Sequence, residues 1–389
     1  MPGGMASSLA SFVRRASRGL VWAGYYVVAI AVGVELLVRL VMPQVLPVDA
    51  PEIYQTDDTI GWRHRPNVHA NANTGDRDVE FCTDSRGDRV SCVTPAPADC
   101  SARILIVGDS FVEALAVPYE ETAWALLQRE TGACVAVAGV GAYEPAQYLQ
   151  LVRERLADEG EPYDLVIASM FAGNDFVEQY AQLPSARSVW EQPVRLLPRG
   201  LDAASLVEWL YPVNQWLESR SHAYVAARFA IRNARDPGDV GIYGLPIAVV
   251  RERLTPAVVA ATTGAFQAIA ALTQARGTAL LVTVVPVRSQ VLDVSGERLR
   301  RTFPALAGQI DVDLVQAEFV PRLQAIEGVR TVDLVPAFRA ESAPASLWGV
   351  RDQHLSPAGH AAWFRALKEP VRAALVASRA SPKSLKDPV

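Results

Sequence analysis

Gly108-Asp109-Ser110-Phe111 follows an apolar run in the first third of the chain, and Asp352-Gln353-His354 stands near its far end. Together they supply a hydroxyl, an imidazole and a carboxylate. A serine hydroxyl is a weak nucleophile at neutral pH; it needs a neutral imidazole to take its proton and a carboxylate to hold that imidazole in one tautomer. Attack by Ser110 on an acyl carbonyl, with His354 as base and acid and Asp352 orienting the ring, is the chemistry this set supports. A two-residue step in extended chain points Asp352 and His354 to the same side. The remaining histidines lack this company. His360 follows His354 by six residues at a helix start and reads as structural, and His64, His69 and His222 lie in polar or insertion segments without a nucleophile beside them. Asp109 and Asp175 flank glycine-containing turns, where carboxylates accept backbone N–H bonds, so both read as ordering their loops.

Residues so far apart meet only if a scaffold brings them together. Ile104 to Val107, Cys134 to Ala138, Leu165 to Ser169, Ala279 to Val285 and Arg330 to Leu334 are short β-like runs separated by amphipathic segments, the alternation of a parallel sheet covered by helices. Ser110 then lies in the loop at the carboxyl end of the first strand, before a helix near Thr122 to Gln128. Open parallel sheets bind ligands at that end. The second run ends in the small-residue turn Gly139-Val140-Gly141-Ala142-Tyr143, suited to aiming a backbone N–H at the site. The third ends in Ala172-Gly173-Asn174-Asp175, which adds an amide side chain as donor. Between the third and fourth runs sits an insertion, Phe176 to Pro246, with helical pieces Val207 to Ser219 and Tyr224 to Asn233. Its aromatics Trp190, Trp209, Tyr211, Trp216 and Tyr224 are read as packing in preference to a lid or substrate wall.

The N-terminus carries a second signal. After Arg14, Arg15 and Arg18, the stretch Leu20 to Val41 is almost wholly apolar and as a helix would span about 33 Å at about 1.5 Å per residue, enough to cross a bilayer. Glu35 and Arg39 interrupt it four residues apart on one face, where they can pair or snorkel. The segment Pro43 to Pro47 lacks an Ala-x-Ala cleavage pattern, which favours an uncleaved signal anchor. The basic flank then stays cytoplasmic and everything after about residue 45 lies across the membrane.

An apolar share of 50% in 389 residues is ample for a full core, and a formal charge of −5 with scattered Lys and Arg excludes the footprint of a nucleic-acid binder. Cys82, Cys92, Cys100 and Cys134 form an even set in a compartment that permits disulfides; Cys82 with Cys92 or Cys92 with Cys100 would close local loops, while Cys134 is as readily a buried thiol. Metal-ligand spacing is missing from the four, and the chemistry calls for no cofactor. Residues 50 to 102, marked by Gly61-Trp62, Arg65-Pro66 and Arg86-Gly87, read as a linker leading into a β-poor preamble.

Gly108-Asp109-Ser110-Phe111, the glycine turn at 139 to 142, Gly173-Asn174-Asp175, and Asp352-Gln353-His354 followed by Leu355-Ser356-Pro357-Ala358-Gly359-His360 resemble, in order, the four conserved blocks of the SGNH, or GDSL, hydrolases. The resemblance covers roughly residues 103 to 375, and Gly61-Trp62-Arg63 with Arg65-Pro66 is similar to the preamble of membrane-anchored bacterial members. It implies a three-layer α/β/α, flavodoxin-like fold with about five parallel strands. It also implies Ser110 as nucleophile, His354 as general base and acid, Asp352 as its orienter, and an oxyanion hole from the N–H of Ser110, the N–H near Gly141 or Ala142, and the Asn174 amide. The chain departs from the family's commonest pattern in two places. Arg351 holds the position three before the histidine, and in the glycine turn Val137 replaces the usual asparagine while Ala142 falls where the oxyanion glycine often lies.

The organisation expected is a basic N-terminus at 1–19, a transmembrane anchor at 20–41, a linker and preamble at 42–102, a hydrolase domain at 103–378 with the insertion at about 176–246, and a tail at 379–389. The function expected is a serine esterase acting through an acyl-serine on ester groups of cell-envelope glycans, lipids or exported polysaccharides, from the periplasmic or extracellular side. An O-acetyltransferase using the same triad, or a weakly catalytic glycan-binding component beside a membrane acyltransferase, are the alternatives. The partners expected are the acyl ester, the membrane and, for those alternatives, the acyltransferase, but not nucleic acid.

Overall fold

The computed structural model describes residues 3–47, 50–95, 97, 99–158, 162–176, 210, 213–214, 216–235 and 247–380. The chain divides into two units, Met1–Pro47 with Val194–Arg235, and Val48–Pro193 with Asp236–Val389.

In the larger unit the preamble is built from strands, which corrects its reading as β-poor. β1 (Tyr54–Asp57) and β2 (Gly61–His64) form an antiparallel hairpin, and β3 (His69–Asn73), β4 (Asp78–Thr83) and β5 (Arg89–Val90) form a small antiparallel sheet. Burial alternates along β3 and β4 and seats Ala70, Ala72 and Phe81 in a minor core with Ile53. Small and polar residues such as His69-Ala70-Asn71-Ala72-Asn73 have poor strand preference, so tertiary packing decides here.

The main sheet contains β6 (Arg103–Gly108), β7 (Cys134–Gly139), β8 (Leu165–Phe171), β9 (Ala279–Val285) and β10 (Val329–Asp333), in the order β10-β9-β8-β6-β7 with every pair parallel. The five expected strands are therefore present, in the doubly wound, flavodoxin-like order whose switch point lies between β6 and β8. Side chains alternate across the sheet. Leu105, Val107, Val166, Ala168, Leu280 and Val282 join the core beneath helices Pro145–Ala157 and Pro256–Ala275, whereas Ile104, Ile106, Leu165, Ile167 and Leu281 join the core beneath Ala123–Thr131 and Pro357–Ala380. Each of these Val, Leu and Ile side chains, fully buried, contributes about 1.5–3 kcal/mol. Helix Pro256–Ala275 is apolar enough to span a membrane but buries Val258, Phe266 and Ile269 in the first core. Helix Ala123–Thr131 starts where Thr122 accepts from Ala125 N–H, close to the expected Thr122 to Gln128.

Two disulfides brace this unit. Cys82 pairs with Cys92, one of the two local loops expected, and Cys100 pairs with Cys134, so neither the Cys92–Cys100 bond nor a free Cys134 thiol forms. Residue 134 starts β7 opposite Arg103 of β6, which brings Cys100 to it across a sequence gap of 34.

The smaller unit holds the helix Gly3–Val41 and the helix His222–Arg235, the latter matching the expected Tyr224 to Asn233 piece. Of the piece expected at Val207 to Ser219, residues 210, 213–214 and 216–218 are helical; Trp190, Trp209 and Tyr211 lie outside the described residues. Trp216 is 58% exposed, which is not the packing role expected of it. The stretch Val21–Val41 has none of its residues buried. It is not a core helix, and it has the length and composition of a membrane anchor or signal sequence.

Candidate active site

Ser110 opens a single helical turn, Ser110–Glu113, directly after β6. Asp109 caps that turn by accepting from Phe111 N–H at 3.0 Å, and Ala114 ends it in the left-handed region at φ 53°, donating to the Ser110 carbonyl at 2.8 Å. The turn packs down onto the sheet through Val112. A Cβ on Gly108 or on Gly139 would overlap Val112, so both β6 and β7 end in glycine where the Ser110 turn lies across them.

His354 arrives from the other end of the chain. Its Nε2 lies 2.8 Å from Ser110 Oγ and its Nδ1 2.6 Å from Asp352 Oδ1. The loop carrying both residues is closed by a bridge between Trp348 and Leu355 and by Gly349 N–H donating to the His354 carbonyl at 3.0 Å. Asp352 Oδ1 also accepts from His354 N–H at 3.1 Å. The short step from acid to imidazole is therefore made by an Asx-type turn and not, as expected, by extended chain. Asp76, between β3 and β4, accepts from the backbone N–H groups of Arg351 at 2.9 Å and Asp352 at 2.8 Å. Gly349 lies so close to Asp76 that a Cβ there would overlap the carboxylate.

Electrostatics follow from this placement. Burial alone would lower the His354 imidazole, but the charge of Asp352, its hydrogen bond and the nearby Asp109 push it up to about 9. The ring still keeps a third of its side-chain surface open to solvent and leans on Phe111 at 4.9 Å. Burial acts to raise Asp352, yet the charge and hydrogen bonds of His354 outweigh it and hold the carboxyl below its ordinary range. Burial pushes Asp109 up to about 7, and burial followed by the charge of Asp109 pushes Asp175 well above the usual carboxylate range. Asp175 accepts from Phe171 N–H at 2.7 Å and from the Tyr148 hydroxyl, and so orders its turn as expected.

The glycine turn lies beside the serine. A Cβ on Gly141 would come 3.9 Å from Ser110 Cβ and 3.0 Å from Glu113 Oε2. Trp62 Nε1 donates to the Gly141 carbonyl at 3.0 Å, and the Tyr143 hydroxyl in turn donates to the Trp62 carbonyl. With that carbonyl tied, the trans peptide turns the Ala142 N–H the opposite way; Ala142 takes φ 62° to permit it. Asn174 stands in the turn that follows β8, the strand paired with β6, closed by Asp175 N–H donating to Phe171 at 3.2 Å.

Other histidines take the places their surroundings dictate. His360 is buried against Trp124 and Trp363, its Nδ1 accepts from Ala123 N–H at 3.3 Å, and burial drives it down to about 3, the structural role expected. His64, expected in a merely polar segment, is buried instead, with Nε2 2.7 Å from Glu113 Oε1 and Nδ1 3.2 Å from the Gly87 carbonyl. The Tyr54 hydroxyl donates to the same Glu113 oxygen at 2.8 Å, and Arg89, fully buried, donates to the carbonyls of Glu113, Ala114 and Val117. Asp76 and Glu113 are thus residues about the site that the sequence did not reveal, and the sequence named Trp62 and His64 without assigning them to it. Trp62 did stand in the resembling Gly61-Trp62-Arg63 stretch, with His64 directly after it, but nothing in linear spacing marks Asp76 or Glu113.

No family model matches the chain, and no curated protein matches it. Solved structures do. A GDSL-like lipase from Bacteroides thetaiotaomicron shares 11% identity over 72% of this chain and 93% of its own, with a TM-score of 0.36. The lipase/acylhydrolase from Enterococcus faecalis shares 11% over 70% and 96%, with a TM-score of 0.35. A carbohydrate esterase family 2 enzyme with a carbohydrate-binding domain from Corynascus thermopiles (Myceliophthora fergusii) shares 14% over 77% and 71%, with a TM-score of 0.38. The sheet order and the strand-end placement of Ser110 agree with the fold implied by the resemblance of the four blocks; the solved structures to which the chain is similar are hydrolases of the GDSL and SGNH type.

Proposed function

We propose that the protein is a serine esterase that cleaves acyl esters through an acyl-serine intermediate. The observation that carries this reading is the continuous relay from Ser110 Oγ to His354 Nε2 at 2.8 Å and from His354 Nδ1 to Asp352 Oδ1 at 2.6 Å, at the carboxyl end of a parallel sheet. Ser110 Oγ attacks the ester carbonyl carbon while His354 Nε2 takes its proton; Asp352 keeps Nδ1–H fixed and stabilises the imidazolium. The carbonyl oxygen becomes an oxyanion that accepts from the Ser110 N–H, the Gly141 or Ala142 N–H and the Asn174 amide; one such donor contributes roughly 3–4 kcal/mol. Collapse expels the alcohol, protonated by His354. Water, deprotonated by the same imidazole, then attacks the acyl-serine and releases the acid.

The exposed N-terminal helix supports placing this chemistry at a membrane, with the basic flank cytoplasmic and the site across the bilayer. The substrates we assign are ester groups of envelope glycans, lipids or exported polysaccharides. The test is hydrolysis of p-nitrophenyl acetate and labelling by an activated serine probe, with Ser110→Ala as control. Turnover and labelling of Ser110 that vanish in the variant are expected; equal inactivity of both proteins together with an unlabelled Ser110 would sink the enzyme reading.

A further inference from the structure

The smaller unit contains a charge where a membrane helix tolerates one poorly. Glu35 stands six residues, about 9 Å at about 1.5 Å per residue, inside the end of the apolar stretch Val21–Val41. An ionised side chain at such depth needs partners. Glu35 has four: Ser221 Oγ donates to it at 2.8 Å, His222 N–H at 3.0 Å, Ala223 N–H at 2.9 Å and Arg39 at 3.2 Å. Three of these are the opening donors of helix His222–Arg235, where the positive end of a helix favours a carboxylate. Two further bonds fasten the same end: Arg39 to the Arg220 carbonyl at 3.2 Å, and Gln44 N–H to His222 Nδ1 at 2.8 Å. The start of helix His222–Arg235 is thereby clamped to the apolar helix below the level at which that helix ends.

Among the described residues of the insertion several large apolar side chains are exposed. Leu210, Val213 and Trp216 recur at three-residue spacing and are 46%, 52% and 58% exposed, and Ile231 is 54% exposed. The Arg220 guanidinium lies over the Trp216 ring at 5.7 Å. An indole and a guanidinium side by side, next to aliphatic side chains, is the composition of the lipid headgroup boundary, where an amphipathic ring and a snorkelling cation both find suitable surroundings.

We propose that the insertion is a membrane seat: Leu210, Val213 and Trp216 lie in the headgroup and upper acyl region of the leaflet entered by the Glu35 end of the apolar helix. Depth selects the occupant. Because the capping donors must reach Glu35 within the span, residues a few positions away are brought to the lipid boundary and not to bulk water. This rests on reading the N-terminal helix as an anchor, and the experiment separates the two. The full chain is reconstituted in phosphatidylcholine and phosphatidylglycerol vesicles whose acyl chains carry bromine at a shallow or a deep position. Fluorescence differences between wild type and Trp216→Phe, and between wild type and Trp22→Phe, isolate each indole. We expect bromine, most strongly at the shallow position, to quench Trp216, and expect Glu35→Ala to abolish most of that quenching while Trp22 stays quenched. Trp22 quenched by bromine with Trp216 reached only by aqueous acrylamide would overturn the seat and leave the anchor standing. Trp216 shielded from both quenchers would overturn it in favour of cover by protein, a second copy included. Loss of bromine quenching at both indoles would remove the anchor as well.

Discussion

His354 and His360 stand six residues apart, and their surroundings drive them in opposite directions, up to about 9 and down to about 3. Burial lowers both. In the loop before the C-terminal helix, Asp352 sits 2.6 Å from the His354 ring and overrides burial; in the first turn of that helix, Trp124 and Trp363 surround His360 and offer no charge to do so. The lesson is that a partner, and not depth, converts an imidazole from filler into a proton carrier.

The strongest way to break the contrast is to remove each ring. His354→Ala should cut kcat by roughly 10³–10⁶-fold, as for members of a triad. His360→Ala should leave kcat near wild type and cost about 2–4 kcal/mol of stability through the cavity it opens. Steady-state kinetics and thermal melts on both variants decide this, and the opposite assignment would mean that the wrong base has been chosen.

Asp352→Asn comes next. Asparagine cannot supply the negative charge that lifts the imidazole, so kcat should fall by roughly 10³–10⁴-fold. The acid limb of kcat/KM, expected in wild type between 6.5 and about 9, should also move to lower pH in the variant. A limb that stays in place would detach the shift from Asp352. A smaller effect belongs to Asp76→Ala, which frees the backbone of Arg351 and Asp352; a loss of roughly tenfold to a hundredfold in kcat with KM little altered is expected from misplacement alone. An unchanged kcat would show that the loop holds itself.

The finest distinction is in stability against pH. His354 is raised when folded, so its contribution is present below 6.5 and fades as pH climbs toward about 9. His360 is depressed, so the unfolded chain binds the extra proton and stability declines as pH drops from 6.5 toward about 3. Denaturant titrations should show His354→Gln flattening the alkaline side and His360→Gln the acid side. Both variants flattening the same side would erase the contrast.

Much of this arrangement was readable in advance, for physical reasons. Runs such as Ala279-Leu280-Leu281-Val282-Thr283-Val284-Val285 are buried on both faces and declare themselves by continuous apolarity. Ser110, Asn174, Asp352 and His354 could be placed because strand ends in a parallel sheet share one edge. The preamble hid itself because its strands are short and polar, with Arg89–Val90 only two residues long. Asp76 hid because its bond to Asp352 spans 276 positions and leaves no local pattern. The partner of Cys134 likewise became visible only once β6 and β7 lay side by side.

That bond from Asp76 bears on where a working piece of this protein can be cut. Severing the chain at residue 103 would retain every strand of the parallel sheet along with Ser110, His354 and Asp352, yet discard the carboxylate that holds the loop and the indole that ties Gly141. A piece that keeps these supports therefore starts near residue 50. Any graft, chimera or directed-evolution library confined to the sheet and its helices would inherit the reactive side chains without the splint that sets them.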